Sequence, residues 1–128
     1  ASTDLSHYHP NDEAKRIDRV FLERLAAFDP EGLSEEIVKR GCEACGAGPV
    51  LTLLLATARM GADTAEVLRY STSGEITGET GGGVVGYVAA AVYKNKAAAE
   101  QDLNASGRPG TDLGFSREEK DKLRQLAY

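Results

Sequence analysis

The side chains best suited to chemistry stand in two short clusters, His7-x-His9 and Cys42-x-x-Cys45, which hold every histidine and cysteine of the chain. Together they offer four soft or borderline donors, the makings of a Cys2His2 zinc site. The spacing argues against it, because C-x-x-C has no second pair at finger distance. A redox C-x-x-C opens a helix that follows a strand, whereas here a helix is expected to precede it. Cys45 alone offers more. It stands just before a helix expected to begin at Pro49, where free N–H groups and the helix dipole favour a thiolate. Gly46 and Gly48 would let a ligand approach the backbone. The plainer reading is a small residue buried beneath that helix. His7 is either a hydrogen-bonding loop residue or a metal ligand or general base. Asp4, Ser6 and His7 are too close in sequence to act as orienter, nucleophile and base without an unusual loop.

The elements that must position these residues follow from periodicity. Pro10 or Asn11 can open a helix, and Ile17, Val20, Phe21, Leu25 and Phe28 recur at three and four, with charged residues on the other face. Asp29-Pro30 ends it. A shorter helix is expected over 33–40, closed by Gly41 in a left-handed cap. The small-residue loop 42–48 leads to the Pro49 helix, which Gly61 ends; its composition is apolar nearly all round and predicts burial on several sides. Two strand candidates follow, 65–71 and 84–93; the length of the second also allows a helix, but its valines and tyrosines favour a strand. The second, V-V-G-Y-V-A-A-A-V-Y, is continuously apolar and reads as covered on both faces, with Gly86 and its alanines permitting close helix packing. Segment 73–83 reads as a flexible loop; it lacks the Gly-Lys-Ser/Thr of a phosphate-binding loop. Helices alternating with buried strands indicate an α/β layer fold.

From Lys94 onward the composition changes to that of a linker, with a loose helical stretch at 97–103. Ser116-Arg117-Glu118-Glu119 is a capping box opening a further helix that carries Leu123, Leu126 and Ala127 on one face. The bulk properties exclude several classes. The 128 residues suit one domain, and a net charge of −5 argues against non-specific nucleic-acid binding. No stretch reaches the roughly 20 apolar residues of a membrane span, and the polar start is no signal peptide. Two cysteines suit a reducing, cytoplasmic setting. The opening on Ala1, with no methionine, reads as a cut or processed end.

Two separated segments resemble the Memo family, the B component of the AmmeMemoRadiSam set. Ser2-Thr3-Asp4-Leu5-Ser6-His7-Tyr8 is similar to the family's S-S-D-x-S-H-Y stretch. Ala44-Cys45-Gly46-Ala47-Gly48-Pro49, the run from Leu68 to Gly78 (L-R-Y-S-T-S-G-E-I-T-G) and Val84-Val85-Gly86-Tyr87 are similar to its C-G-x-x-P helix, L-R-Y-x-x-S-G-D-V-T-G run and V-V-G-Y strand. Thr3, Glu75 and Ile76 depart from the pattern. The resemblance implies that residues 1–94 are the C-terminal portion of a layered α/β domain related to class III extradiol dioxygenases. Residues 95–115 would then be a linker. Residues 116–128 would start a further helix, since Leu113 to Lys120 resembles the opening of an AMMECR-type domain.

The family's pocket is lined by histidines and one cysteine able to bind a metal such as iron or copper. By motif, His7 and Cys45 fall on two of those positions, as ligands or as catalytic base and nucleophile. The other pocket histidines belong to an N-terminal half that this chain lacks and that becomes its expected partner. His7 and Cys45 are expected to face a common cavity, and Cys42 is not. Two functions follow: a metal-dependent redox or dioxygenase-related domain, or a non-catalytic pocket for a peptide or a partner such as a radical-SAM protein.

Overall fold

The computed structural model describes residues 1–95, so the expected stretch at 97–103 and the further helix at 116–128 lie outside the described residues. The order is β1 (Asp4–His9), α1 (Asn11–Ala26), α2 (Pro30–Val38), α3 (Ala47–Arg59), β2 (Thr64–Thr72), α4 (Ser73–Thr77) and β3 (Val84–Tyr93). The mixed α/β character agrees with the sequence, and the sheet is small and antiparallel, in the order β1-β3-β2. Among the described helices none is long and apolar enough to cross a membrane.

The expected elements shift in instructive ways. Helix α1 stops at Ala26, and Asp29-Pro30 begins α2: the Asp29 carboxylate accepts the Gly32 N–H at 2.8 Å, and Pro30 takes the first helical position, where its missing N–H costs nothing. The left-handed residue after α2 is Arg40 (φ 58°), not Gly41. Its N–H reaches the Ile37 carbonyl, and the next N–H, from Gly41, reaches Glu36. The same pair of bonds closes α1 around Phe28 (φ 53°) and α3 around Gly61 (φ 94°). All three are Schellman closures, and only α3 uses glycine for it.

Further expectations fail. Segment 4–9 is not a loop but a strand, and 73–77 is a short helix capped by Thr72 and Glu75. Strand β3 is covered on one face only among the described residues. Its partners Ala65↔Val92, Tyr70↔Val88 and Thr72↔Gly86 define the inner face. Leu5, Phe21, Leu25, Leu33, Val50, Leu54 and Ala65 form the core there, with Val88 and Val92 packed against it. Val85, Tyr87, Ala89 and Ala91 alternate to the opposite face and join no core cluster, and Tyr87 is 39% exposed. Helix α3 likewise buries one side, through Val50 and Leu54, and leaves Leu55 and Met60 exposed. A continuous apolar pattern predicts burial without saying which polypeptide provides it.

Candidate functional site

Helix α3 begins at Ala47, with Gly46 as N-cap and Pro49 two residues inside, so Cys45 lies immediately before the cap. What holds Cys45 there is β1. Its N–H donates to the Asp4 carbonyl at 3.1 Å, and the Asp4 N–H donates back to the Cys45 Sγ at 3.3 Å. Beside them the Gly46 N–H donates to the Thr3 Oγ1 at 2.9 Å. The two backbones touch. A Cβ on Gly46 would stand 2.3 Å from the Ser2 carbonyl oxygen and 2.7 Å from the Thr3 Cβ, which is why glycine follows the cysteine. The sulfur is exposed, unlike Cys42, which belongs to the core. Burial pushes the Cys42 thiol pKa up, and the Glu36, Asp18 and Glu43 carboxylates add to the effect.

Strand β1 is irregular, with register shifts between Asp4 and His7 and between His7 and His9. The first shift turns two consecutive residues, Leu5 and Ser6, inward, both fully buried. His7 then pairs with Val85 and Asp4 with Tyr87, which puts both on the open face of the sheet. The His7 Nε2 lies 3.7 Å from the Asp4 Oδ2, and its side chain keeps 32% exposure. Asp4 therefore meets both candidates: Cys45 through its backbone, His7 through its carboxylate. Tyr8 follows in a left-handed conformation (φ 62°), exposed at 83%, with Gly83 packed so closely that a Cβ would stand 2.7 Å from the Tyr8 Cα. His9 pairs with Val84 of the inner face, and its Nε2 meets the Glu43 carboxylate at 3.1 Å.

These placements separate the four donors of the two sequence clusters. Cys42 is in the core, His9 is engaged by Glu43, and only His7 and Cys45 are gathered at Asp4. The Asp4, Ser6, His7 triad does not form, since the Ser6 Oγ is buried and His7 is on the other face. Among the described residues no group of three His, Cys, Asp or Glu is arranged to hold a metal ion. A shallow groove between α2 and α3, lined by Pro30, Glu31, Ser34, Leu51 and Leu55, includes neither His7 nor Cys45.

The family model for Memo-like proteins matches residues 1–91, which contain the whole of this arrangement. The chain belongs to the Memo-like family. It is 42% identical over 89 residues to a MEMO1 family protein of Methanopyrus kandleri, covering 70% of this chain and 31% of that one. It is 39% identical over 89 residues to one of Methanosarcina barkeri, covering 70% and 33%. A third, from Methanocaldococcus jannaschii, is 39% identical over 92 residues, covering 72% and 32%. This Memo-like chain thus spans about a third of the length of the curated relatives it matches. No solved structure matches.

One residue of this Memo-like arrangement escapes motif reading altogether. Asp18 of α1 is fully buried; its Oδ1 accepts the Ser6 N–H at 2.9 Å and its Oδ2 accepts the Tyr70 hydroxyl at 2.7 Å. Gly86 of β3 makes the room, since a Cβ there would stand 1.9 Å from the Oδ2. Burial, with the bond to Asp18, raises the Tyr70 phenol well above its ordinary pKa and keeps it a donor. The signal was present: Ala14, Asp18, Phe21 and Leu25 recur at four, three and four, and they are the buried stripe of α1. Taking Asp as a mark of the solvent face hid it.

Proposed function

We propose that this chain contributes part of a metal-binding site, with His7 and Cys45 as donors and iron or copper as the metal. The observation that carries the reading is their convergence on Asp4, from β1 and from the start of α3. Imidazole and thiolate are donors that suit either metal. No three-ligand group forms among the described residues, so this reading needs further ligands from outside residues 1–95. Such a metal, when bound, supplies Lewis-acid or redox chemistry, in keeping with a relation to class III extradiol dioxygenases. The Asp4 carboxylate lies beside the His7 ring, and the Asp4 backbone amide donates to the Cys45 sulfur.

The test is metal content, by elemental analysis after loading, of this chain assembled with the polypeptide that completes a family-length protein. His7→Ala and Cys45→Ala should each lower metal affinity by about tenfold or more, from the loss of a first ligand. Equal metal in all three proteins would overturn the reading. The open sheet face, with Tyr87 39% exposed, favours a second one, a pocket for a peptide or for a radical-SAM partner. Partner binding that survives both substitutions and chelation would select it.

A further inference from the structure

Ser6 presents an odd combination. Its hydroxyl is buried without a hydrogen-bond partner, while its backbone N–H is held by a fully buried carboxylate of another element. The side chain thus contributes no bond where the main chain does. That main-chain bond falls inside the register shift between Asp4 and His7, the point at which β1 leaves regular pairing with β3. A bulged strand has amides that its neighbour does not satisfy, and a buried amide left unpaired is costly. Asp18 supplies the missing acceptor from the helix side.

We propose that Asp18 is the positioning residue for His7: by accepting the Ser6 amide it fixes the bulge that turns the next side chain onto the open face of the sheet. Tyr70 and Gly86 serve the same device. The Tyr70 hydroxyl, from the inner face of β2, locks the second carboxylate oxygen, and Gly86 leaves the space that the carboxylate fills. Without the carboxylate, regular pairing would move Ser6 or Leu5 to the outer face and His7 to the inner one, because a one-residue slip exchanges the faces of a strand. The importance of His7 rests on the site reading above; the control that Asp18 exerts over its position does not.

The experiment reads the two histidine rings separately by NMR in the full 128-residue chain, through their ring resonances. Asp18→Ala, which removes both acceptor oxygens, should displace the His7 ring signals while leaving those of His9, anchored by Glu43, in place. Exchange of the Ser6 amide should accelerate by about tenfold or more, the scale of a lost bond to a charged acceptor. Gly86→Ala should reproduce the effect by crowding out the carboxylate. Tyr70→Phe, which keeps the Ser6 bond and the core volume, should move His7 in the same direction but less, and it carries the test if Asp18→Ala does not fold. His7 signals unchanged in the folded variants, or His7 and His9 displaced alike, would overturn the proposal. None of these readouts involves a metal. A displaced His7 with metal binding indifferent to His7→Ala would remove the site reading alone; an unmoved His7 with metal binding lost in His7→Ala would remove the positioning role alone.

Discussion

Cys42 and Cys45 are three residues apart and chemically opposite. Cys42 is packed among core side chains beside three carboxylates, whereas Cys45 is exposed at the start of α3. Iodoacetamide should therefore modify Cys45 at least about tenfold faster than Cys42 in the folded chain, as thiolate access requires. Single Cys42→Ser and Cys45→Ser variants separate the two rates, and equal rates would contradict the burial difference. Gly46 carries a second prediction. With backbone 2.3 Å from where its Cβ would stand, Gly46→Ala must push Ser2 and Thr3 away, at a cost of about 1–3 kcal/mol in unfolding free energy. The same change should free Cys45, so its alkylation rate would rise while Cys42 stays protected. At this scale sequence reading singled out His7, Cys45 and the glycine after it as candidates by residue type and motif. It lost Asp18, because an aspartate among charged neighbours looks like a surface residue until its phase against Phe21 and Leu25 is counted.

Helix ends behaved differently from helix bodies. Periodicity placed α1 and α3 to within a few residues, but two of the three Schellman closures use Phe28 and Arg40 in place of glycine. A non-glycine residue in the left-handed region costs of order 1 kcal/mol, which the closing hydrogen bonds offset. Phe28 packs against the core, but Arg40 is exposed, so Arg40→Gly should raise stability by about 0.5–1 kcal/mol, measured by urea unfolding. No change, or a loss, would mean that the Arg40 side chain does work that its exposure does not suggest. Helix α4 gives a pH prediction. Lys15 and the Thr72 N–H hold the Glu75 carboxyl below the usual glutamate range. A depressed folded pKa stabilises fully above the unfolded value of about 4.3 and is lost as pH falls through the folded one. Glu75→Gln should thus be less stable than the parent at neutral pH, with the gap closing below about pH 4. A gap that persists at low pH would assign the effect to the cap geometry alone.

Among the described residues one sheet face is covered and one is open, and α3 shows the same asymmetry. Leu55 on it and Met60 at its C-cap are exposed at 49% and 75% although the helix is almost wholly apolar. Exposed substitutions cost little, so Leu55→Lys with Met60→Lys should change unfolding stability by less than about 0.5 kcal/mol. The pair should also reduce any concentration-dependent association seen by sedimentation velocity, since exposed apolar patches favour it. A loss of several times that stability would show that both side chains are buried in solution.

Local chemistry was enough to place the helix bodies of α1 and α3, to favour a strand at 84–93 and to show the motifs that mark the Memo-like family. These depend on contacts within a few residues, or on a period that burial imposes whatever lies opposite. Tertiary structure alone decided that 4–9 is a strand, because its amides find partners in β3, Asp18 and the Cys45–Gly46 turn, all distant in sequence. It decided as well that His7 and His9, two residues apart, address opposite faces, and that His7 shares Asp4 with a cysteine 38 positions away. The physical reason is the register of one bulged strand, and register is set by what packs behind it.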